Sequence, residues 1–259
     1  DAAGITRVNL IDATPIGVNV RSTVATYSGV LDELRRAFAR TEEAQAAGLK
    51  PGAFSYNTGS LRCPTCDGTG QITLDVQFLP DVDIECTECR GSRYGAQAAS
   101  IRRDGLSLPD ILAMSVDEAR VAVRGLKKAG TLLETLSGLG LGYLTLGEAT
   151  PALSGGEAQR LKLASEMGRR QDGALFVFDE PTIGLHPDDV QVLVDVLQRL
   201  IERGATVVVI EHDLDLIRCA DWVIDMGPGG GIEGGRIVAQ GTPSEIVANE
   251  ASVTGRYLR

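Results

Sequence analysis

No Gly-x-x-x-x-Gly-Lys-Ser/Thr stretch occurs anywhere in the 259 residues, so the chain brings no phosphate-cradling loop of that type. No apolar run comes near the roughly 18 residues that a membrane-spanning helix needs. No secretory pattern opens the chain, and it starts at Asp1 without a methionine, as a fragment or a processed product would. Positive charge is in short supply: 25 Lys and Arg face 35 Asp and Glu, for a net charge of −10. Dedicated nucleic-acid modules are usually basic, so the overall charge gives DNA binding no support, although a local basic stripe would suffice. Internal repeats and long low-complexity tracts are missing too. Cysteine is not paired off evenly. There are five, and four of them fall in two tight pairs, which in a chain without an export signal favours metal over disulfides.

The length allows one large domain or two modest ones, and either can bury a core. Val8 to Ile11 reads as a short strand, followed by the loop Asp12-Ala13-Thr14-Pro15-Ile16-Gly17. Residues 29–47 read as one helix, with Leu31, Leu34, Phe38 and Thr41 on one face and Gly48 and Pro51 ending it. From about 56 to 105 the pattern breaks into Gly, Cys and short alternating runs such as Ile72-Thr73-Leu74-Asp75-Val76, as in a small insert with its own organising device. Residues 108–138 return to helix, and Ser115-Val116-Asp117-Glu118 has capping-box spacing. After Pro151, helix and strand alternate: helix 155–170, strand 174–179, a helix from His186-Pro187-Asp188, strand 206–210, helix 213–219, strand 222–226, then the glycine cluster 227–235 and Arg236–Ala239. Val190, Leu193, Val194, Leu197, Leu200 and Ile201 form an apolar stripe on the second of these helices. Thr206–Ile210 is apolar on both faces, which predicts a parallel sheet covered by helices on both sides. The class is α/β with an inserted metal module.

Cys63-Pro-Thr-Cys66 and Cys86-Thr-Glu-Cys89 are separated by nineteen residues. Two such knuckles can place four thiolates tetrahedrally around Zn²⁺, and Gly68, Gly70 and Gly91 let the backbone turn tightly beside the sulfurs. The competing reading, two vicinal disulfides or free thiols, stabilises a coreless insert far less than metal does. With four sulfur ligands the site is closed, hence structural. One knuckle also resembles a repeat of the DnaJ-type zinc region, which needs several repeats where this chain has one full match. Cys219, alone on a helix, reads as a small core residue.

Two further strings carry chemistry. Leu175-Phe176-Val177-Phe178 is an apolar strand that ends in Asp179-Glu180. Ligands of open parallel sheets sit beyond the carboxyl ends of strands. There Asp179 is suited to hold a Mg²⁺-bound water and Glu180 to polarise an attacking water as general base; the plainer alternative is a pair of solvated acids. Ser154-Gly155-Gly156-Glu157 is a capping box that opens a helix, and two bare glycines there also offer N–H groups to an anion such as a γ-phosphate. His212, just past strand 206–210, is placed to contact the same phosphate, although a lone histidine is often a surface residue.

The order of these features, a signature, about twenty residues, Asp-Glu, about thirty residues, then His, resembles the ATP-binding-cassette (ABC) ATPases. In that family the signature loop of one cassette closes on ATP held by another, and Pro181-Thr182-Ile183-Gly184-Leu185-His186 matches the loop (D-loop) at the dimer interface. The cassette together with the zinc insert resembles the second ATPase half of the UvrA family, the damage-recognition subunits of bacterial nucleotide excision repair. The likeness is carried by Pro15-Ile16-Gly17, Ala25–Val30, Phe78-Leu79-Pro80-Asp81, the four cysteines and Leu153–Arg160. Further along it rests on Asp179–His186, Val209-Ile210-Glu211-His212 and Ala220-Asp221-Trp222-Val223.

The resemblance implies an ABC-type core made of residues 1–30 (the Q-loop side) and 146–259 (signature loop, Walker B, D-loop and H-loop), with a signature domain at 31–145 whose zinc module is about 56–105. It implies ATP, Mg²⁺ and structural Zn²⁺ as cofactors. It implies a cytoplasmic homodimer that binds damaged double-stranded DNA and hands it to a UvrB-type partner, with no membrane partner. The missing Walker A loop is then explained by a fragment boundary, and the chain alone is expected to be inactive. Two departures stand out: Ala13 occupies the family's usual Gln position, and Val18-Asn19 replace Arg-Thr/Ser, so a slow second site or a divergent paralogue acting in drug self-resistance is also open. A transporter-type cassette and a non-hydrolysing interaction domain are the remaining alternatives. Arg62, Arg90, Arg93, Arg102 and Arg103 are candidate DNA contacts, each equally readable as solvated basic surface, while Lys127-Lys128 and Arg169-Arg170 read as helix ends beside a C-terminal dipole.

Overall fold

The computed structural model describes residues 4–17, 19–74, 82–185, 187–229 and 234–259. Their contacts form two compact units, one of residues 13–169 and one of residues 1–12 with 170–259.

In chain order, β1 (Arg7–Ile11) belongs to the second unit, and the first begins with α1 (Val24–Tyr27), α2 (Val30–Phe38) and α3 (Glu42–Ala46). The single helix expected over 29–47 is therefore two. Thr41 leaves the helical region (φ −69°, ψ 154°) and its hydroxyl accepts from the Ala44 N–H at 3.3 Å, so it starts a new helix instead of continuing the old one. Leu31, Leu34 and Phe38 are buried as the periodicity requires. The insert contains the antiparallel hairpin β2 (Gln71–Leu74) and β3 (Val82–Glu85), almost wholly exposed. Asp75, Val76 and the Phe78–Asp81 string lie outside the described residues, as do Val18 and His186.

α4 (Ala96–Ser100) and the short strands β4 (Arg102–Arg103) and β5 (Leu106–Ser107) lead to α5 (Leu108–Leu112), α6 (Val116–Ala122) and α7 (Lys127–Leu136). The one helix expected over 108–138 is thus three. Ser107 and Ser115 each form a capping box, with Asp110 and Glu118, and each box starts a new axis. Lys127 and Lys128 open α7 rather than close a helix, so the C-terminal dipole reading does not apply to them. The unit ends with α8 (Gly155–Met167). Its core is aromatic and leucine-rich. Phe38 and Phe54 pack with ring centroids 6.1 Å apart, Tyr56 and Tyr94 meet edge-on at 5.9 Å, and Leu34, Leu61, Leu108, Leu133 and Leu136 are fully buried.

The second unit continues with β6 (Ala174–Asp179), α9 (Pro187–Glu202), β7 (Thr206–Ile210), α10 (Leu214–Arg218), β8 (Val223–Gly227), β9 (Arg236–Gly241), α11 (Pro243–Ala248) and α12 (Val253–Leu258). β1, β6 and β7 form a parallel sheet in the order β1-β6-β7, and β8 pairs with β9 antiparallel. Phe176 and Phe178 are buried on one face of the sheet. Of the α9 stripe, Val190, Leu193, Val194, Leu197 and Leu200 are buried, whereas Ile201 is 38% exposed. The expectation that both sheet faces are covered is corrected. Register places Val8, Leu10, Val177 and Val208 on one face, and Val8 is 62% exposed, Leu10 58% and Val208 47%. Cys219 is also not a core residue: it caps the exposed C-terminal end of α10, whose buried contact is Leu216.

Candidate functional site

Both knuckles turn through left-handed backbone: Asp67 (φ 52°), Gly68 (80°) and Gly70 (78°) after the first, Arg90 (48°) and Gly91 (74°) after the second. At Gly68 the glycine is required twice over, since an added Cβ would lie 1.8 Å from the Tyr56 carbonyl oxygen. These turns bring Cys63, Cys66, Cys86 and Cys89 together as four buried, unbridged thiols with all sulfurs within 4.8 Å of one another. Cys63–Cys86 and Cys66–Cys89 are 4.0 and 3.6 Å apart. Sulfurs placed about 2.3 Å from a tetrahedral zinc would be about 3.8 Å apart, so the cluster fits that ion. Burial pushes the Cys89 thiol up to about 12. Burial opposes ionisation of Cys66 as well, but the Gly70 N–H, 3.3 Å away, and the Cys89 thiol draw it down to about 7.

The nearby arginines have different surroundings. Arg93 is buried, donates to the Val20 and Thr69 carbonyls at 2.8 Å each, and lies 5.2 Å from the Tyr56 ring centre. It anchors the four-cysteine module, and its burial argues against a role as a surface DNA contact. Arg62 pairs with Asp67 (2.8 Å), Arg102 with the Gly105 carbonyl (2.6 Å) and Arg103 with Asp104 (3.0 Å), all at least partly accessible. Arg90 is exposed, and no side-chain partner for it is found among the described residues.

The signature loop lies in the first unit. Ser154 is exposed, its N–H donates to Glu157 Oε2 at 2.7 Å, and its hydroxyl accepts from the Glu157 N–H at 3.4 Å. This is the expected capping box, and it leaves Gly155 and Gly156 half-buried at the start of α8. The Tyr143 hydroxyl donates to the other Glu157 oxygen. Burial alone would raise the Glu157 carboxyl, but the Tyr143 and Ser154 donors hold it below the usual carboxylate range. Ala13 stands against this loop: a Cβ on Gly155 would come within 3.1 Å of its methyl.

The acidic tip lies in the second unit. Asp179 ends β6 and is exposed. Glu180 turns the chain with φ 46°, rare for a residue with a side chain, while its N–H donates to the Ile210 carbonyl at 2.9 Å. Its side chain is 43% exposed, and Oε1 lies 3.5 Å from Nε2 of His212, whose side chain is 84% exposed. The strand tips therefore bring together Glu180 and His212, residues 32 apart in sequence. The sequence reading missed Glu211 as a site residue. Its carboxylate accepts from the Thr182 N–H (2.8 Å) and hydroxyl (2.5 Å) on one oxygen, and from the His212 (2.7 Å) and Asp213 (3.0 Å) N–H groups on the other. A charged residue closing an apolar strand directly before His212 was the available signal.

No family model matches the chain. It is 50% identical over 256 residues to UvrABC system protein A of Aquifex aeolicus, covering 98% of the chain and 28% of that protein. It is also 50% identical over 250 residues to the Bacillus subtilis protein of the same name, covering 96% of the chain and 26% of that protein. Among solved structures, UvrA2 from Deinococcus radiodurans matches all of the chain and 32% of its own, with TM-score 0.91 and 45% sequence identity. The chain thus spans about a quarter of the length of the two curated relatives. Its architecture is that of an ABC-type core with an inserted four-cysteine module, and over nearly its whole length the chain is similar to one part of the UvrA proteins.

Proposed function

We propose that this chain forms most of the second ATP-binding cassette of a UvrA-type protein, an ATPase that senses damaged duplex DNA and passes it to a UvrB-type partner in the cytoplasm. The observation that carries the reading is the pairing of Glu180 with His212 beyond the ends of two adjacent parallel strands. Bound Mg²⁺–ATP would supply the phosphoanhydride and neutralise charge as it develops. Asp179 would hold the metal through water. Glu180 would accept the proton of the attacking water at Oε1, and His212 would donate from its imidazole to the terminal phosphate. Gly155 and Gly156 open the N-terminus of α8, where their amides would meet the triphosphate of a partner cassette in a homodimer.

The four thiols would hold a structural Zn²⁺. No helix among the described residues is long and apolar enough to cross a membrane, and the four-cysteine module argues against a transporter-type cassette. The uncovered face of the β1-β6-β7 sheet fits a cassette whose phosphate-loop segment lies elsewhere in the longer protein, and the isolated chain would then be inactive. Ala13, at the position where the family usually has Gln, leaves open either a divergent paralogue or slow turnover at this site. Titrating binding of the full-length protein to lesion-bearing duplex against salt tests the reading. The expected result is a steep loss of affinity between 50 and 200 mM salt, on the order of 10³-fold for six or more phosphate contacts. Salt-insensitive binding, or none, would contradict it.

A further inference from the structure

We propose that Glu211 is the positioning residue of this site: its carboxylate fixes the backbone on both sides of the Glu180–His212 pair and so sets the distance between them. The proposal rests on the ATPase reading above. Glu180 sits in left-handed backbone at φ 46°, a conformation that a side-chain-bearing residue keeps only when its surroundings impose it. Two attachments flank it. The Glu180 N–H is held by the Ile210 carbonyl, and Thr182, two residues on, is held through both its N–H and its hydroxyl by Glu211 Oε1. The other oxygen, Oε2, gathers the N–H groups of His212 and Asp213 and fixes the turn from which the imidazole projects. Asp213 then caps α10, so this turn is anchored on its far side as well.

One half-buried carboxylate thus serves four donors, two from each loop. Burial alone would raise its pKa, yet the Thr182, Asp213 and His212 donors hold it below the usual range. Only a carboxylate can do this. A glutamine has one oxygen and would point its own N–H groups at one of the two donor pairs, releasing either the Thr182 loop or the His212 turn. Neither sequence spacing nor burial singles Glu211 out; the four hydrogen bonds do.

The test uses the full-length protein, its other cassette silenced, carrying Glu211→Gln, Thr182→Val, Thr182→Ser or the first two combined. Amide hydrogen exchange without nucleotide is the first readout. Glu211→Gln should speed exchange at least about tenfold in peptides covering either 182–185 or 212–214. ATP turnover is the second. Glu211→Gln should lower kcat about tenfold or more with KM within about twofold, Thr182→Val should lower kcat less, and Thr182→Ser should restore it. The combined variant should lose less than the product of the single losses. Unchanged exchange, a raised KM with intact kcat, or independent losses would overturn the proposal. If Glu211→Gln does not fold, the Thr182 pair decides: Val slow and Ser normal supports it, equal rates refute it. Glu180→Gln is the control. If that variant turns over ATP normally, the ATPase reading fails; if it is inactive while Glu211→Gln is normal, only the positioning role fails.

Discussion

Removing the metal should melt the tip of the zinc module and leave its base folded. Among the described residues, little else packs on the tip. β2 and β3 are almost entirely exposed, and Ile72 is the one partly buried apolar side chain found packed on the four cysteines among the described residues. The base is different: Phe54, Tyr56, Leu61 and Tyr94 are buried, and Arg93 ties it to Val20. Structural zinc contributes roughly 10–16 kcal/mol at neutral pH, so each of four thiolates accounts for about 2.5–4 kcal/mol, or two to three decades of metal affinity. Cys86→Ser should therefore weaken zinc binding about 10²- to 10³-fold. Hydrogen exchange with and without a chelator gives the structural readout. Peptides covering 82–92 should lose protection on chelation, while those covering 53–61 keep it. A protein without stoichiometric zinc, or a chelated protein with 82–92 still protected, would refute the reasoning.

Two more outcomes follow from the same geometry. Arg93→Ala removes two charge-assisted hydrogen bonds, both from Nη1, and the contact with Tyr56 from a buried site, and should cost about 2–4 kcal/mol in thermal or denaturant unfolding; an unchanged stability with weakened DNA binding would restore Arg93 as a DNA contact. The Glu157 carboxyl is depressed in the folded chain, so its stabilisation is fully present above the unfolded carboxyl value near 4.3 and is lost as pH falls through the lower folded value. Tyr143→Phe removes one of the donors responsible, so stability should change less between about pH 5 and 3 in that variant; an identical acid limb in both proteins would argue against the clamp.

Local patterns were readable from the sequence. The Cys-x2-Cys pairs, the Ser115 and Ser154 capping boxes and the strands ending at Asp179 and Ile210 each depend on residues close in the chain, and all form as expected. Helix breaks within 29–47 and 108–138 were not readable, because apolar periodicity continues across a hydroxyl that starts a new axis. Long-range roles were hidden too. Arg93 reads as basic surface until Val20, 73 residues away, supplies the carbonyl that buries it. Glu211 reads as a strand end until Thr182, 29 residues back, supplies two of its four donors. The uncovered sheet face escaped for a related reason: an apolar strand records what should cover it, not whether this stretch of chain contains it.

The most direct test is single-turnover and steady-state ATP hydrolysis by the full-length protein carrying Glu180→Gln, with its other cassette silenced. Glu180 as the base predicts at least a 100-fold slower chemical step with nucleotide still bound. Hydrolysis at the unaltered rate would show that the acid beside His212 does not activate the water, and the assignment of this site would fail.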